Sequence, residues 1–452
     1  MKLKLLILYL LISTPICFYA QVLYSDGAVI HVNNGGLLYV NGGAVVSNSS
    51  TTNNEGVIEL TKNSSMAQAG NFVINSNAAV SGSGLYRVEQ DWINDAVFNA
   101  DNSEVELFGD TEQAITSNNG TNTAFYNLTL TGSGIGVDSR KSLVNVNSST
   151  LQNGVLKLND RELSTGVNIF EVVNPHPLAI LFDDSYEAEG FVSSLPQGFL
   201  VRSIDRDTVY IFPVGSSDGD RRFRPVIINT YSYESQSYAV RMNNFISDNE
   251  GFPITQHEPE IVQLNDEYYH SVRRLEGSTD AGLGLFYDTL VDIGWMSIGH
   301  WNDAEQQWKD VTQTNTNSFG DYNYVLKNAW DFPIDSDEYI LINVNDPSDS
   351  ENPLDPPIVP YTLSIPNVLT PNGDNVNDGF YVTSTGLTDF NIQILNRWGN
   401  LVFESDDVNE VWDGTNLNLK ECTDGVYFYI IRASYNTEKI EKHGHITLVR
   451  NK

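Results

Sequence analysis

From Gln21 to about Thr165 the chain repeats one short pattern, four or five apolar or β-branched residues followed by Gly or Asn. Ala28-Val29-Ile30-His31-Val32 runs into Asn34-Gly35-Gly36, and Leu37-Leu38-Tyr39-Val40 into Asn41-Gly42-Gly43. Similar runs recur at Val57-Ile58-Glu59-Leu60, Phe72-Val73-Ile74, Val105-Glu106-Leu107-Phe108, Asn127-Leu128-Thr129-Leu130 and Val155-Leu156-Lys157-Leu158. These runs are too short for helices, and Gly and Asn accept the positive φ that sharp corners need. The pattern predicts a parallel β-solenoid, in which each rung buries its apolar face only on its neighbours. The repeat is irregular, which keeps an antiparallel sandwich as the alternative.

From about Gly166 to Asn345 the strands lengthen and aromatic residues increase. Val209-Tyr210-Ile211-Phe212 and Arg222-Phe223-Arg224-Pro225-Val226-Ile227-Ile228 flank an acidic turn. This segment reads as a β-sandwich, with a split near His257-Glu258-Pro259 left open. Trp295, Trp301 and Trp308 surround a hairpin at Asn302-Asp303 and read as core or corner fillers. Residues 346–360 are rich in Pro, Asp and Ser and form a spacer that lacks apolar surface to bury. In the final segment, residues 361–452, Phe390, Ile392 and Ile394 share one strand face, with Asn391 and Gln393 opposite. Residues 426–432 carry apolar side chains on both faces, as a central strand does. Ile446 and Leu448 face inward, and His443, His445 and Thr447 outward. About seven strands in this space predict an immunoglobulin-like sandwich. The expectation is an all-β chain: a solenoid-like region at 21–165, a sandwich at 166–345, a linker at 346–360 and a terminal sandwich at 361–452.

The terminal segment also carries ordered turn motifs. They are Thr370-Pro371-Asn372-Gly373-Asp374 with Asn377-Asp378, then Asn396-Arg397-Trp398-Gly399, Trp412-Asp413-Gly414, and Gly425 with Tyr427. Together they resemble the gliding-motility-associated C-terminal domain of Bacteroidota, also called the type B sorting domain of type IX secretion. The resemblance covers residues 361–452. It implies Sec export, recognition of this domain by the type IX machinery with an outer-membrane partner of the PorP/SprF kind, and release from or retention on the cell surface.

The N-terminus agrees with export. Lys2 and Lys4 precede an apolar run from Leu5 to Ile12, with a cleavage site expected after Ala20, so residues 1–20 read as a signal peptide. No segment is long and apolar enough to predict a transmembrane helix. Cleavage would remove Cys17 and leave Cys422 without an intrachain partner. The net charge of −33 argues against nucleic acid as a partner and is compatible with Ca²⁺.

Candidate chemistry is sparse. Asp374, Asn377 and Asp378 would offer oxygen ligands to Ca²⁺, although Asx residues also hold turns unaided. His443 and His445 share a strand face, as two Zn²⁺ ligands would, but no third ligand lies near them in sequence. Glu104 and Glu106 share a strand face and read as solvent-facing, not as a glycosidase pair. A polysaccharide lyase would need a base with cationic groups around it. Between Gln21 and Thr165 the basic residues Lys62, Arg87, Arg140, Lys141, Lys157 and Arg161, with His31, read as scattered. The sequence therefore predicts a non-enzymatic secreted surface protein in adhesion or matrix contact, with an extracellular glycan or protein ligand. A polysaccharide-binding module or polysaccharide-degrading enzyme is the alternative.

Overall fold

The computed structural model describes residues 22–62, 70–345 (apart from 135, 187, 293 and 334–336), 362–366, 368–371, 378–385, 388–408, 410–417, 420–435 and 438–450. The signal peptide and the linker at 346–360 lie outside them. The described chain is all-β, with three 3-10 turns as its only helical pieces. It divides into two compact units. One holds the strands from Leu23–Asp26 to Glu338–Val344, apart from the short segments Tyr287–Trp295 and Ser318–Asn323, which group with residues 345–452 in the other.

The first unit begins as a parallel coil. Leu23 pairs with Ala44, Ala44 with Phe72, Phe72 with Trp92, Trp92 with Ile115 and Ile115 with Leu143, all in parallel ladders. The antiparallel alternative is thus set aside. The unequal spacing of these partners is why the repeat is irregular in sequence. Three sheets run along the first four rungs. The one ordered Val97–Asn99, Ala79–Ser81, Thr51–Asn54, Val29–Val32 then stops, and the other two continue.

Corners fall where Asn and Gly stand. Asn48, Asn77, Asn145 and Asn159 all take positive φ. At one corner Gly36, Gly56 and Gly84 stack so tightly that a Cβ on Gly56 would lie 2.4 Å from the Gly36 carbonyl oxygen. Inside the coil, Phe72, Tyr86, Trp92, Phe98 and Phe125 form a connected ring cluster, with Trp92 5.1 Å from Phe72 and 5.0 Å from Phe98. Burying these rings supplies the apolar area that short rungs otherwise lack.

Parallel pairing continues beyond Thr165. Glu162–Ser164 pairs with Phe191–Ser193, and Ile169–Val172 with Phe199–Ile204. The change of texture at Gly166 is therefore not where the coil ends. Phe199–Ile204 is the hinge between architectures, since its other edge pairs antiparallel with Gln236–Asn243. From there the same sheet runs through Tyr269–Glu276, Glu338–Val344, Ser297–Asn302 and Gln307–Asp310. A separate sheet is ordered Val209–Phe212, Val226–Thr230, Ala281–Tyr287, Tyr322–Trp330, Thr314–Phe319. The sheet is not split at His257-Glu258-Pro259. Ile261–Leu264 pairs with Glu338–Val344, and the Glu258 amide donates to the Trp308 carbonyl at 3.0 Å. Trp301 and Trp308 are cross-strand partners, buried and edge to face at 5.4 Å, as core fillers should be.

The second unit is a small sandwich. One sheet is ordered Val368–Leu369, Glu438–Leu448, Gly425–Tyr435, Thr388–Leu395, Leu401–Ser405, and a second pairs Thr362–Ser364 with Thr383–Thr385. Its core contains Phe390, Ile392, Ile394, Trp412, Tyr427, Ile431, Ile446 and Leu448, so the expected alternation places these side chains correctly. His443 and His445 are exposed on the outer face.

Candidate functional site

The turn motifs of the terminal domain separate into two kinds of residue. Trp412 and Tyr427 are structural. Their rings meet edge to face at 5.2 Å in the core. The Trp412 Nε1 donates to the Thr415 carbonyl at 2.7 Å, and the Tyr427 hydroxyl donates to the Thr423 carbonyl at 2.8 Å. Asp413 accepts from the Thr415 amide and hydroxyl at 2.9 and 2.7 Å, closing an Asx turn that presents Gly414 with φ of 81°. Cys422 is buried in this core, and burial pushes its thiol pKa up, away from nucleophilic character.

The Asn396–Asn400 turn is built differently. The Asn396 Oδ1 accepts from the amides of Trp398 and Asn400, both at 3.0 Å, and the Gly399 amide donates to the Asn396 carbonyl at 2.9 Å. Gly399 takes φ of 78°, the left-handed conformation this turn requires. The result is a rigid loop that lifts Trp398 away from the core with 76% of its surface exposed. The Arg397 guanidinium lies 5.4 Å from the Trp398 ring centroid. Packing accounts for every large aromatic of the motifs except this one. A fixed, solvent-facing Trp beside an Arg has the composition of an interface hot spot.

Thr370 and Pro371 are half-buried beside Leu369, a core residue. Asn372, Gly373, Asp374 and Asn377 lie outside the described residues, so the calcium reading of Asp374, Asn377 and Asp378 rests on the sequence. Among the described residues no group of three or more His, Cys, Asp or Glu gathers as metal ligands, and no helix is long and apolar enough to cross a membrane.

In the coil, Glu104 and Glu106 are joined to neighbouring rungs. Arg87 bridges Glu59 at 2.5 Å and Glu106 at 2.7 Å, and Lys157 reaches Glu104 at 2.9 Å. Thr129 and Thr131 donate to the same two carboxylates. The two glutamates therefore belong to a ladder of charges across the rungs.

The basic residues are less scattered than their sequence positions imply. Rung stacking brings Arg140, Lys141 and Arg161 to one region, where Arg221 joins them from beyond the coil. Arg161 and Arg221 line a cleft with Asp160, Glu162, Glu189 and Phe191. Each guanidinium there faces an acid. Arg221 donates to Glu189 at 2.6 Å, Arg161 pairs with Asp160, and Arg140 lies 2.8 Å from Asp218 and 3.7 Å from Glu162. Lys141 is buried inside the coil, at the ladder position between Gln113 and Leu163. Its Nζ donates to the Gly109 carbonyl at 2.6 Å, and burial, with help from Arg161, draws its pKa down to about 8. Sequence reasoning missed this lysine because a lysine in a strand ordinarily reads as solvent-facing.

These features define an all-β protein with a coil-and-sandwich body and a small terminal sandwich set apart as its own unit. Residues 363–448 match the CHU_C type IX secretion signal domain. No curated protein matches the chain. The chain is a secreted cargo of type IX secretion, and its export signal is a folded C-terminal domain that engages the type IX machinery.

Proposed function

We propose that residues 22–345 are a non-enzymatic contact module, delivered to the cell surface for adhesion or matrix assembly. The observation that carries this reading is where the coil places its chemistry. The Phe72, Trp92 and Phe98 rings lie inside, with Tyr24 and Tyr39 exposed at the first rung, and Glu59, Glu104 and Glu106 are paired with Arg87 and Lys157 in ladders between rungs. A polysaccharide enzyme needs an acid or base free to meet substrate, and a glycan platform needs exposed rings. The pocket at Arg161 and Arg221 does not by itself carry the second reading, a polysaccharide-binding module, because its volume of about 10 Å³ holds no more than a water molecule. Its charges pair with one another, so a ligand would have to displace these contacts. A glycan array probed with the secreted protein separates the two. Binding to one defined glycan supports the module that recognises polysaccharide, and silence across the array supports contact with protein or self.

Sorting itself is assigned to the terminal domain, with Arg397 and Trp398 as the contact for an outer-membrane partner of the PorP/SprF kind. Asp374, Asn377 and Asp378 are proposed to take Ca²⁺, which isothermal titration of the whole chain tests. A chain ending before Tyr361 is expected to stay in the periplasm. Its appearance in the medium or on the surface would contradict the sorting assignment.

A further inference from the structure

Among the described residues the coil has one open end. Leu23–Asp26, Val29–Val32 and Leu37–Asn41 are each the edge strand of a different sheet, and all three belong to the first rung. The rung beneath shows what a covered rung looks like. Ile58 and Leu60 are fully buried, whereas their ladder partners Leu38 and Val40 are only half-buried. The apolar column that runs from Leu38 through Ile58, Tyr86, Val105 and Leu128 to Leu156 is thus cut open at its head.

The backbone is open as well. The carbonyls of Ala28 and Val32 accept from Thr51 and Glu55 at 3.0 and 2.8 Å, and that of Gly36 accepts from Val57 at 2.9 Å. Peptide groups alternate in direction along a strand. The N–H and C=O groups of Val29, His31, Leu37 and Tyr39 therefore point away from the second rung, toward the open end.

We propose that this end is a self-association surface on which two copies stack rung to rung. The occupant follows from the geometry. Three sheet edges end together, and a second coil end of the same cross-section can pair all three at once. The far end of the coil is not free to do so. There Val192 is bridged by Val214, and Phe199–Ile204 already pairs with Gln236–Asn243. Stacking is therefore first rung to first rung, an isologous contact that closes as a dimer and does not grow. Charge permits it: in a chain of net charge −33, Asp26 and His31 are the only ionisable groups between Val22 and Gly43 apart from the phenols of Tyr24 and Tyr39. Unprotected edges of this kind are strong templates for another strand.

The test is the mass in solution of the chain from Gln21 onward, by light scattering over a range of concentrations. The expected result is twice the mass of one chain, falling to one on dilution. A monomer throughout, or a mass that keeps growing, overturns the proposal. Substituting Val29→Pro together with Leu37→Pro removes two outward N–H donors and leaves the hydrogen bonds between the first and second rungs in place. That variant should melt as the parent does and be monomeric; a folded variant that still dimerises places the contact elsewhere. Should it not fold, hydrogen exchange on the unsubstituted chain decides. Amides of residues 24–41 should exchange several-fold more slowly at high concentration than at low, and exchange that ignores concentration overturns the proposal.

Discussion

Arg450 and Gly414 meet so closely that a side chain at 414 would have to displace the guanidinium. The Arg450 Nη2 donates to the Gly414 carbonyl at 2.7 Å and stands 2.9 Å from where a Cβ on Gly414 would be. Its Nε donates to the Cys422 carbonyl at 3.1 Å, so one guanidinium ties the 412–415 turn to the chain entering the long strand Gly425–Tyr435. Gly414→Ala should therefore cost more than the left-handed backbone alone explains. Gly399 is the control, since it has a similar φ and open space around it. Chemical denaturation should give a loss of about 1 kcal/mol for Gly399→Ala and roughly 2–3 kcal/mol for Gly414→Ala. Equal losses would mean that Arg450 yields without cost.

His270 sets a pH limit on the body of the protein. It is fully buried, its Nε2–H donates to the Arg224 carbonyl at 2.8 Å, and burial lowers its pKa to about 4. In the unfolded chain it titrates near 6.5. Between these values the unfolded state takes up a proton that the folded state refuses, so stability falls as the pH drops from about 6.5 to 4. Melting temperatures across that window should decline in the parent. The decline should be shallower in His270→Gln, whose side-chain amide keeps a donor for the carbonyl.

Lys141 acts in the alkaline range. Its folded pKa of about 8 lies below the ordinary lysine value of 10.5. From pH 8 to 10.5 the unfolded state holds the extra proton, so this residue makes stability rise with pH over that window and contribute a constant penalty below it. The difference in unfolding free energy between the parent and Lys141→Met should change with pH between 8 and 10.5 and level off on either side. A flat difference would show that the amine keeps its charge inside the coil.

Much of the fold was legible because short β runs and positive-φ residues carry local information. Asn48, Asn77, Asn145 and Asn159 turn corners for the reason Asn is found at corners, and alternation alone placed Phe390, Ile392 and Ile394 in a core. What the sequence hid depends on stacking. Arg140, Arg161 and Arg221 are far apart along the chain and become neighbours only when the rungs are in register. Ladder registers vary from rung to rung, so no fixed period announces them. The end of the coil was misplaced for a related reason. Phe199–Ile204 is parallel on one edge and antiparallel on the other, and its residues look alike from both sides. In the terminal domain the motifs read as a single set, and only burial separates Trp412, which packs, from Trp398, which does not.

That separation leads to the sharpest test of sorting. Trp398 lies outside the core, and the Asn396 side chain fixes its loop through two backbone amides without using the ring. Trp398→Ala should therefore leave the melting temperature unchanged within about 0.5 kcal/mol of stability, as surface changes do. Loss of a central aromatic anchor from an interface typically costs about 2 kcal/mol or more, a weakening of at least thirtyfold if the ring is buried against the secretion machinery. Export of Trp398→Ala should fall sharply and the folded protein should accumulate in the periplasm, with Arg397→Ala showing a milder loss. Asn396→Ala provides the contrast. It removes the turn's two side-chain bonds while keeping the ring, so it should reduce export by loosening the loop and should also lower thermal stability. Normal export of folded Trp398→Ala would move recognition to another face of the domain, the nearest candidate being the exposed strand positions Val426 and Phe428.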